Sequence, residues 1–402
     1  MGKNRTGRFG FSLNSIQTVT AVLIMSLLSL AFALSDWMYG YFTFSEYILV
    51  AVLGILILTM NFRLSADQLK IIGLFTALLV THAILQLLFN ADSESGTAIL
   101  GIGKMVFYSV SVSVIINYIK DSSQSYNFLI FNNIASIIVI ILGLYITFEL
   151  YRESTVPREI FWRFTRRDIY SYYFESNPAI IRTRSIFSEP AHLGFYLNTL
   201  VSVNIFSKYR SKLLLIFTFA LSLGILLTFS YSMIAILLVI ISSKILMMFI
   251  NRSFKWSNWY LIIPASLIVL TLLKWEVINT TLIQRTIAVF TGQDTSARMR
   301  LLDSWQYVSR DNILLGNGIG QTSTITNNYA YALSDMGLIG ALIIGTATVW
   351  LTLKSWPLGL VFILMNSAKG GYLSSSYWFM IMLVLLFLNH RKSHETYNEL
   401  QH

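Results

Sequence analysis

The chain has 402 residues, of which 55% are hydrophobic and only 12% are charged. A soluble domain carries roughly 25% charged residues, so this composition excludes a single water-soluble fold. The formal net charge is +10, and in a membrane protein the question is which side of the membrane holds the cations. The chain has no Cys, and its five His residues show no metal-ligand spacing, so we expect neither a metal nor another cofactor.

Apolar runs predict an all-α polytopic membrane protein with about twelve transmembrane helices of about 20 residues each. The first run follows a basic segment and is too long for a signal peptide, so we interpret it as an uncleaved helix entered from the cytoplasm. Such a chain forms a single integral membrane domain over residues 1–402. The predicted runs lie at about 16–34, 47–62, 71–90, 97–119, 127–149, 191–207, 213–229, 232–250, 259–273, 329–350, 357–370 and 375–389.

The charges in the short loops agree with this topology, because cytoplasmic loops collect Lys and Arg. The short outer turns carry Asp36, Asp92 and Glu94 instead. Both termini are therefore predicted to be cytoplasmic. The basic residues of the predicted inner side are Arg63, Lys70, Lys120, Lys208, Arg210, Lys212, Arg252, Lys255, Lys354, Arg391 and Lys392.

Two long segments, 150–190 and 274–328, fall on the predicted outer side and are rich in arginine. The guanidinium group is planar and permanently charged, and it binds phosphate oxygens in a two-pronged geometry. One interpretation is a site for a phosphate-bearing ligand such as a lipid head group. The other is that the arginines pair with nearby acids in amphipathic helices on the membrane surface, or bind anionic lipid nonspecifically. Arg182, Arg184, Arg298 and Arg300 lie where these segments approach a helix, which favours the first interpretation for them.

The segment 182–197 contains several candidate site residues at a predicted helix start. Pro190 suits the first turn of a helix, and Ser188 or Glu189 is a candidate cap. Glu189 is either a helix-capping acid or a functional one, acting as a general base or binding sugar hydroxyls. His192 is either a helix-lining residue or part of the same site.

Other candidate residues lie outside that segment. The glycine-rich turn at 316–320 either presents backbone N–H groups to a phosphate or simply joins two elements. His82 and Lys104 fall within predicted transmembrane helices, where ionisable side chains are costly and often functional. Either of them can instead bond to a neighbouring helix.

Two stretches resemble the Wzy-type O-antigen polymerases and the related O-antigen ligases. In the first, the family pattern of Arg, aromatic, Glu-Pro and small residue at a helix start is taken by Arg182, Phe187, Glu189, Pro190 and Gly194. The second, residues 296–345, is similar to the family's last large periplasmic loop, with an Arg, a glycine-rich turn and an acidic-x-Gly-x-x-Gly helix start. Its matching positions are Arg298 or Arg300, Gly316, Gly318, Gly320, Asn327, Asn328, Asp335, Gly337 and Gly340.

The resemblance implies a GT-C-like glycosyltransferase of the bacterial inner membrane, with its active site facing the periplasm. Such an enzyme joins undecaprenyl-pyrophosphate-linked repeat units during lipopolysaccharide biosynthesis, and we expect it to need no metal. Its implied partners are lipid-linked oligosaccharides, membrane lipids, a chain-length regulator protein and a flippase, and they include no nucleic acid.

The resemblance also assigns roles to residues. Glu189 is the first choice for the general base, and the other residues with an expected catalytic role are Arg182, Arg298, Asp335 and His192. Pyrophosphate binding is expected from Arg182, Arg184, Arg298, Arg300 and Gly318. Substrate binding is expected from Asn327, Asn328 and Tyr329.

Three alternatives stay open at the level of sequence. An O-antigen ligase transfers the same donor to the lipid A core, but ligases of the family carry a His in the last loop where this chain has Thr326, Asn327 and Asn328. A lipid-linked glycan flippase or transporter can also have twelve helices, although transporters tend to show interrupted helices and mid-membrane sites. The third alternative is a non-enzymatic scaffold in a glycan assembly complex.

Overall fold

A computed structural model describes residues 16–90, 94–165, 171–173, 180–252, 279, 283–323 and 325–388. This part of the chain is mostly helical, and its two short strands β1 (Met38–Tyr39) and β2 (Phe42–Thr43) pair as an antiparallel hairpin. The all-α prediction is therefore confirmed. The helices are α1 (Ile16–Ala33), α2 (Phe44–Leu58), α3 (Ala66–Phe89), α4 (Ser95–Asp121), α5 (Ser125–Tyr151), α6 (Pro190–Phe206), α7 (Lys212–Leu227), α8 (Tyr231–Ile250), α9 (Gln284–Phe290), α10 (Thr295–Leu301), α11 (Asn328–Lys354), α12 (Trp356–Ala368) and α13 (Ser375–Leu388), with a short π-helix at Pro157–Phe161 and a 3₁₀-helix at Asp303–Tyr307.

The described helices are those of a membrane-embedded protein. Among them, α3, α4, α5, α8 and α11 are long and apolar enough to cross a membrane, and shorter apolar segments lie in α1, α2, α7, α12 and α13. The predicted apolar runs coincide with α1 to α8 and α11 to α13. The predicted run 259–273 lies outside the described residues. The two long segments predicted as outer loops contain only short helices where they are described.

Side-chain caps mark where several helices begin. Thr43 and Glu46 form a capping box at the start of α2, and Ser65 and Gln68 form another at the start of α3. In each box the side chains satisfy backbone N–H groups that have no partner within the helix. The box at Thr43 places the carboxylate of Glu46 at the end of the bundle where the candidate site lies.

Helix α6 is the centre of the bundle. It packs against α7 and α8, and also contacts α12 and α13. Between Pro190 and Ile205 every residue is buried except His192, which is half-buried. Pro190 occupies the first turn, where its fixed φ suits a helix and its missing N–H removes no hydrogen bond. The helix therefore starts at the predicted position, with His192 in its first turn.

Helix α11 is interrupted at Gly337, which has a φ of 59° and a ψ of −148°. The predicted acidic-x-Gly-x-x-Gly helix start is thus a break inside a helix that already begins at Asn328. A Cβ atom at Gly337 would collide with the carbonyl of Leu314, so the break and the preceding turn pack backbone against backbone. The freed carbonyls of Ser334 and Asp335 accept hydrogen bonds from the N–H groups of Asn317 and Gly318, at 2.7 and 2.9 Å.

Candidate functional site

A cavity of about 270 Å³ lies at one end of the described helical bundle. Its walls come from the end of α1, the starts of α4, α6, α11 and α13, and the residues that follow α12. In a bundle whose neighbouring helices alternate in direction these termini belong to one end, the end that the sequence assigns to the outer side. Polar residues distant in the sequence therefore meet in one place.

The clearest arrangement in the cavity is the pair formed by Asp36 and His192. The Nδ1 atom of His192 lies 2.8 Å from Asp36 Oδ2 and 3.0 Å from the hydroxyl of Ser188. Asp36 also accepts the backbone N–H of Ser188 at 2.6 Å and the Ser188 hydroxyl. Because Asp36 accepts the Nδ1–H, the lone pair of His192 is on Nε2, in a residue that lines the cavity.

The environment of Asp36 keeps its carboxylate ionised. Burial alone raises the pKa of this carboxyl, but the charge of His192 and the hydrogen bonds from His192 and Ser188 outweigh burial and hold the pKa below its usual range. An ionised Asp36 both fixes the imidazole tautomer and stabilises the imidazolium that forms when Nε2 takes up a proton.

Glu189 is paired with Lys369 rather than capping its helix. Although Glu189 is the N-cap residue of α6 by position, its side chain makes no capping hydrogen bond. It instead accepts a 2.9 Å hydrogen bond from the ammonium group of Lys369, which follows the end of α12. Burial raises the pKa of Glu189, but the charges of Lys369 and His192 outweigh burial and lower the pKa to about 2. A carboxylate with so low a pKa is a weak base.

The buried carboxylate of Glu46 holds Lys104, the other lysine that lines the cavity. Glu46 lies 3.1 Å from the ammonium group of Lys104 and accepts a 2.7 Å hydrogen bond from the Tyr108 hydroxyl. Its other oxygen accepts the backbone N–H of Thr43 at 2.5 Å and the Thr43 hydroxyl at 3.1 Å. Lys104, which the sequence leaves as either functional or bonded to a neighbouring helix, is thus both bonded to α2 and part of the cavity wall.

Arg182 and Arg184, two of the arginines predicted to bind pyrophosphate, support the chain just before α6. The guanidinium of Arg184 stacks over the ring of Trp162 at 3.5 Å and donates to the Ser188 carbonyl at 2.6 Å. Arg182 donates to the carbonyl of Thr228 at 3.3 Å. Neither residue lines the cavity. Arg184 thus holds Ser188 in place before α6, and Arg182 connects the segment to the end of α7.

Arg298 and Arg300, the other two predicted arginines, differ in their surroundings although both lie on α10. Arg298 is exposed and pairs with Asp303 at 3.2 Å. Arg300 is half-buried, and its Nε atom has no hydrogen-bond partner among the described residues. Burial and the charge of Arg285 lower the pKa of Arg300, while the charge of Glu189 raises it, so Arg300 is electrostatically coupled to the start of α6.

The glycine-rich turn at 316–320 is bonded to other parts of the chain, and its last N–H binds the carboxylate of Asp335. Asp335 accepts the N–H groups of Gly320 and Thr322 at 2.8 and 2.9 Å, and the hydroxyl of Tyr372 at 2.5 Å. The N–H of Gly318 is bonded to the Asp335 backbone carbonyl. Asp335 and Gly318, predicted as catalytic and pyrophosphate-binding residues, therefore hold the turn in place.

Asn327, Asn328 and Tyr329, the predicted substrate-binding residues, hold helix α11 in the structure. Asn327 caps the helix by accepting the N–H groups of Tyr329 and Ala330. The Asn328 side chain donates to Asn366 at 2.8 Å, and the Tyr329 hydroxyl lies 3.2 Å from Thr348. None of these three residues lines the cavity.

Sequence reasoning did not single out Asp36, Glu46 or Lys369 as site residues. Asp36 counted only as an outer acid, Glu46 matched no motif, and Lys369 lies at the edge of a predicted helix. One feature of the sequence points to Lys369. An ionisable residue at the end of an apolar helix needs a partner, and Lys369 and Glu189 both lie at the predicted outer side of the membrane.

Comparison with known proteins adds no assignment. Neither a scan against protein-family models nor a search of curated proteins finds a match to this sequence.

Proposed function

We propose that the protein is a polysaccharide polymerase that joins lipid-diphosphate-linked repeat units at the outer face of a bacterial inner membrane. The observation that carries the proposal is the Asp36–His192 pair in a cavity at the predicted outer end of a membrane-embedded bundle. The geometry supplies an oriented base beside cationic groups, which is what glycosyl transfer from a diphosphate needs. The proposal retains the twelve-span topology, with both termini in the cytoplasm.

His192 is the general base of the proposed reaction. Its Nε2 takes the proton from a hydroxyl of the acceptor sugar as that oxygen forms a bond to the anomeric carbon of the donor. The bond between the anomeric carbon and the diphosphate oxygen breaks, and the diphosphate leaves with the electron pair. Glu189 is less suited to this role, because its ion pair with Lys369 keeps its pKa at about 2.

The negative charge that develops on the departing diphosphate is stabilised by fixed cations. Of the four arginines that the sequence proposes, Arg300 combines partial burial, an Nε atom without a hydrogen-bond partner in the described part of the chain, and electrostatic coupling to Glu189, although it does not line the cavity. Because fixed cationic side chains compensate the charge of the leaving group, we propose a reaction that proceeds without a metal ion.

The proposal is tested by chain extension. The purified protein is given a synthetic lipid-diphosphate repeat unit, and the products are separated by length. A ladder of products is expected, and His192→Ala should lower its rate of formation by about a hundredfold or more, the contribution of a positioned base. An identical ladder rate in a folded His192→Ala variant would contradict the assigned role of His192.

A further inference from the structure

Two lysine–glutamate ion pairs lie beside the cavity, and in each pair it is the lysine that lines the cavity. Lys104, Lys369 and the Asp36–His192 pair line it, whereas Glu46 and Glu189, the partners of the two lysines, do not. No described arginine lines the cavity. Among the described residues, the permanent positive charge on the wall is therefore supplied by two lysines from separate elements, α4 and the segment after α12.

Lys104 has a donor left for a ligand. An ammonium group has three N–H donors. Lys104 uses donors toward Glu46 at 3.1 Å and the Tyr41 carbonyl at 3.2 Å. Glu46 is meanwhile satisfied by Lys104, Tyr108 and Thr43. The carboxylate thus holds the Lys104 ammonium group in place, and one of its three N–H donors remains beyond these two hydrogen bonds in a residue that lines the cavity.

Lys369 has more donor capacity. Its ammonium group makes one hydrogen bond, to Glu189, among the described residues. The side chain is only 15% exposed, so water satisfies the remaining donors poorly. An ion pair that is largely withdrawn from water is no better for stability than well-packed apolar side chains, so one such pair and a second, partly buried one at the same cavity require a reason other than stability.

We propose that Lys104 and Lys369 together bind a diphosphate ester in this cavity. The inference rests on the proposed function, in which the donor is a lipid diphosphate, and it assigns the anion site to lysines of α4 and the α12–α13 turn in place of most of the arginines expected from the sequence. Lysine is a common phosphate ligand because its compact charge and mobile donors adapt to phosphate oxygens. An arriving diphosphate meets the unused donors of both lysines.

The test is a binding measurement that does not depend on turnover. A fluorescent polyprenyl diphosphate is titrated into the full-length protein in detergent micelles. Lys104→Met and Lys369→Met should each weaken binding by about tenfold or more, which corresponds to losing one charged hydrogen bond. Lys104→Arg and Lys369→Arg, which keep the charge, should retain more of the affinity. Lys354→Met removes the same charge from an exposed residue at the other end of α11 and should bind like the wild type.

Competing ligands identify the anion. Inorganic pyrophosphate should displace the probe, because the lysines contact phosphate oxygens. Equal displacement by the polyprenyl monophosphate or by a hexuronic acid would overturn the assignment to a diphosphate. Wild-type affinity in folded Lys104→Met and Lys369→Met proteins would overturn it as well, even if the wild type makes polymer. Loss of binding in these variants together with no polymer from the wild type would leave the anion site standing and remove the proposed function.

Discussion

The Nδ1 atom of His192 lies 2.8 Å from a carboxylate oxygen of Asp36, although the two residues belong to distant parts of the chain. Asp36 follows α1, and His192 is in the first turn of α6. The contact joins the first helix of the bundle to its central helix. It also determines which imidazole nitrogen is free to accept a proton, and this is the basis for assigning the base to His192.

The first prediction concerns Asp36. Asp36→Asn keeps the size of the side chain but presents an amide that favours the wrong imidazole tautomer and cannot stabilise the imidazolium. We expect the rate of chain extension to fall by at least about a hundredfold, while binding of the lipid diphosphate changes little. Extension rates in single-turnover conditions, measured beside the affinity for the polyprenyl diphosphate probe, separate these effects. A loss of binding equal to the loss of rate would mean that Asp36 has a structural role only.

The second prediction compares two arginines of the same short helix. Arg300→Ala should slow chain extension by about tenfold, because Arg300 does not line the cavity and acts on the developing charge only through its electrostatic coupling to Glu189. Arg298→Ala is the matched control, because Arg298 is exposed and bound to Asp303, and an exposed pair contributes at most about 1 kcal/mol. Product length distributions for the two variants provide the comparison. Equal losses would favour the larger arginine clamp that the sequence suggests.

The third prediction concerns the break in α11. Gly337 has a φ of 59°, and a side chain there would collide with the Leu314 carbonyl, so Gly337→Ala should destabilise the fold by about 2 kcal/mol or more. Gly345 lies in the same helix with open space around it, and Gly345→Ala should be neutral or stabilising by up to about 1 kcal/mol. Unfolding in increasing concentrations of dodecyl sulfate measures both. A Gly337→Ala protein as stable as Gly345→Ala would show that the turn does not pack on α11 as described.

The fourth prediction is a pH dependence of stability. The pKa of Glu189 is about 2 in the folded protein against an ordinary value of 4.5, because Lys369 and His192 outweigh the opposing effect of burial. A folded pKa below the unfolded one stabilises the fold above about pH 4.5, and this contribution is lost as the pH falls toward 2. Glu189→Gln should therefore lose less stability than the wild type over that range.

The stability at each pH is measured by thermal unfolding, which tryptophan fluorescence can follow because the chain has nine Trp residues. Asp36 also contributes at low pH, because its pKa is held below the usual range in the folded protein. The comparison is therefore made between Glu189→Gln and the wild type at each pH. Parallel stability curves from pH 4.5 downward would show that the ion pair with Lys369 does not act on the folded state as described.

Hydrophobicity predicts the helices of this chain well, because membrane spans must satisfy their backbone groups internally and the apolar runs are long. The start of α6 is equally predictable from the sequence, since proline is favoured in the first turn of a helix and disrupts a helix interior. The interruption of α11 at Gly337 cannot be predicted from the sequence. The glycine pattern is visible, but whether it begins a helix or interrupts one depends on the turn at 312–318 that packs against it.

The candidate site is only partly predictable. The sequence points to Glu189 and His192, and the structure brings both to the same helix start. Their partners Lys369 and Asp36 come from other helices, and no local pattern relates them. Arg184 shows the same dependence on packing, because an arginine predicted as a ligand from the sequence is almost fully buried against Trp162 in the structure. Which charge faces a cavity depends on tertiary packing.

We propose that the protein polymerises lipid-diphosphate-linked repeat units without a metal. The most direct measurement is incubation of the purified full-length protein with a synthetic polyprenyl-diphosphate repeat unit in the presence of EDTA, followed by separation of the products by chain length. We predict a ladder of products, each longer than the last by one repeat unit, formed at the same rate with and without the chelator. Recovery of the unextended repeat unit alone, with a folded protein that binds the diphosphate probe, would contradict the account.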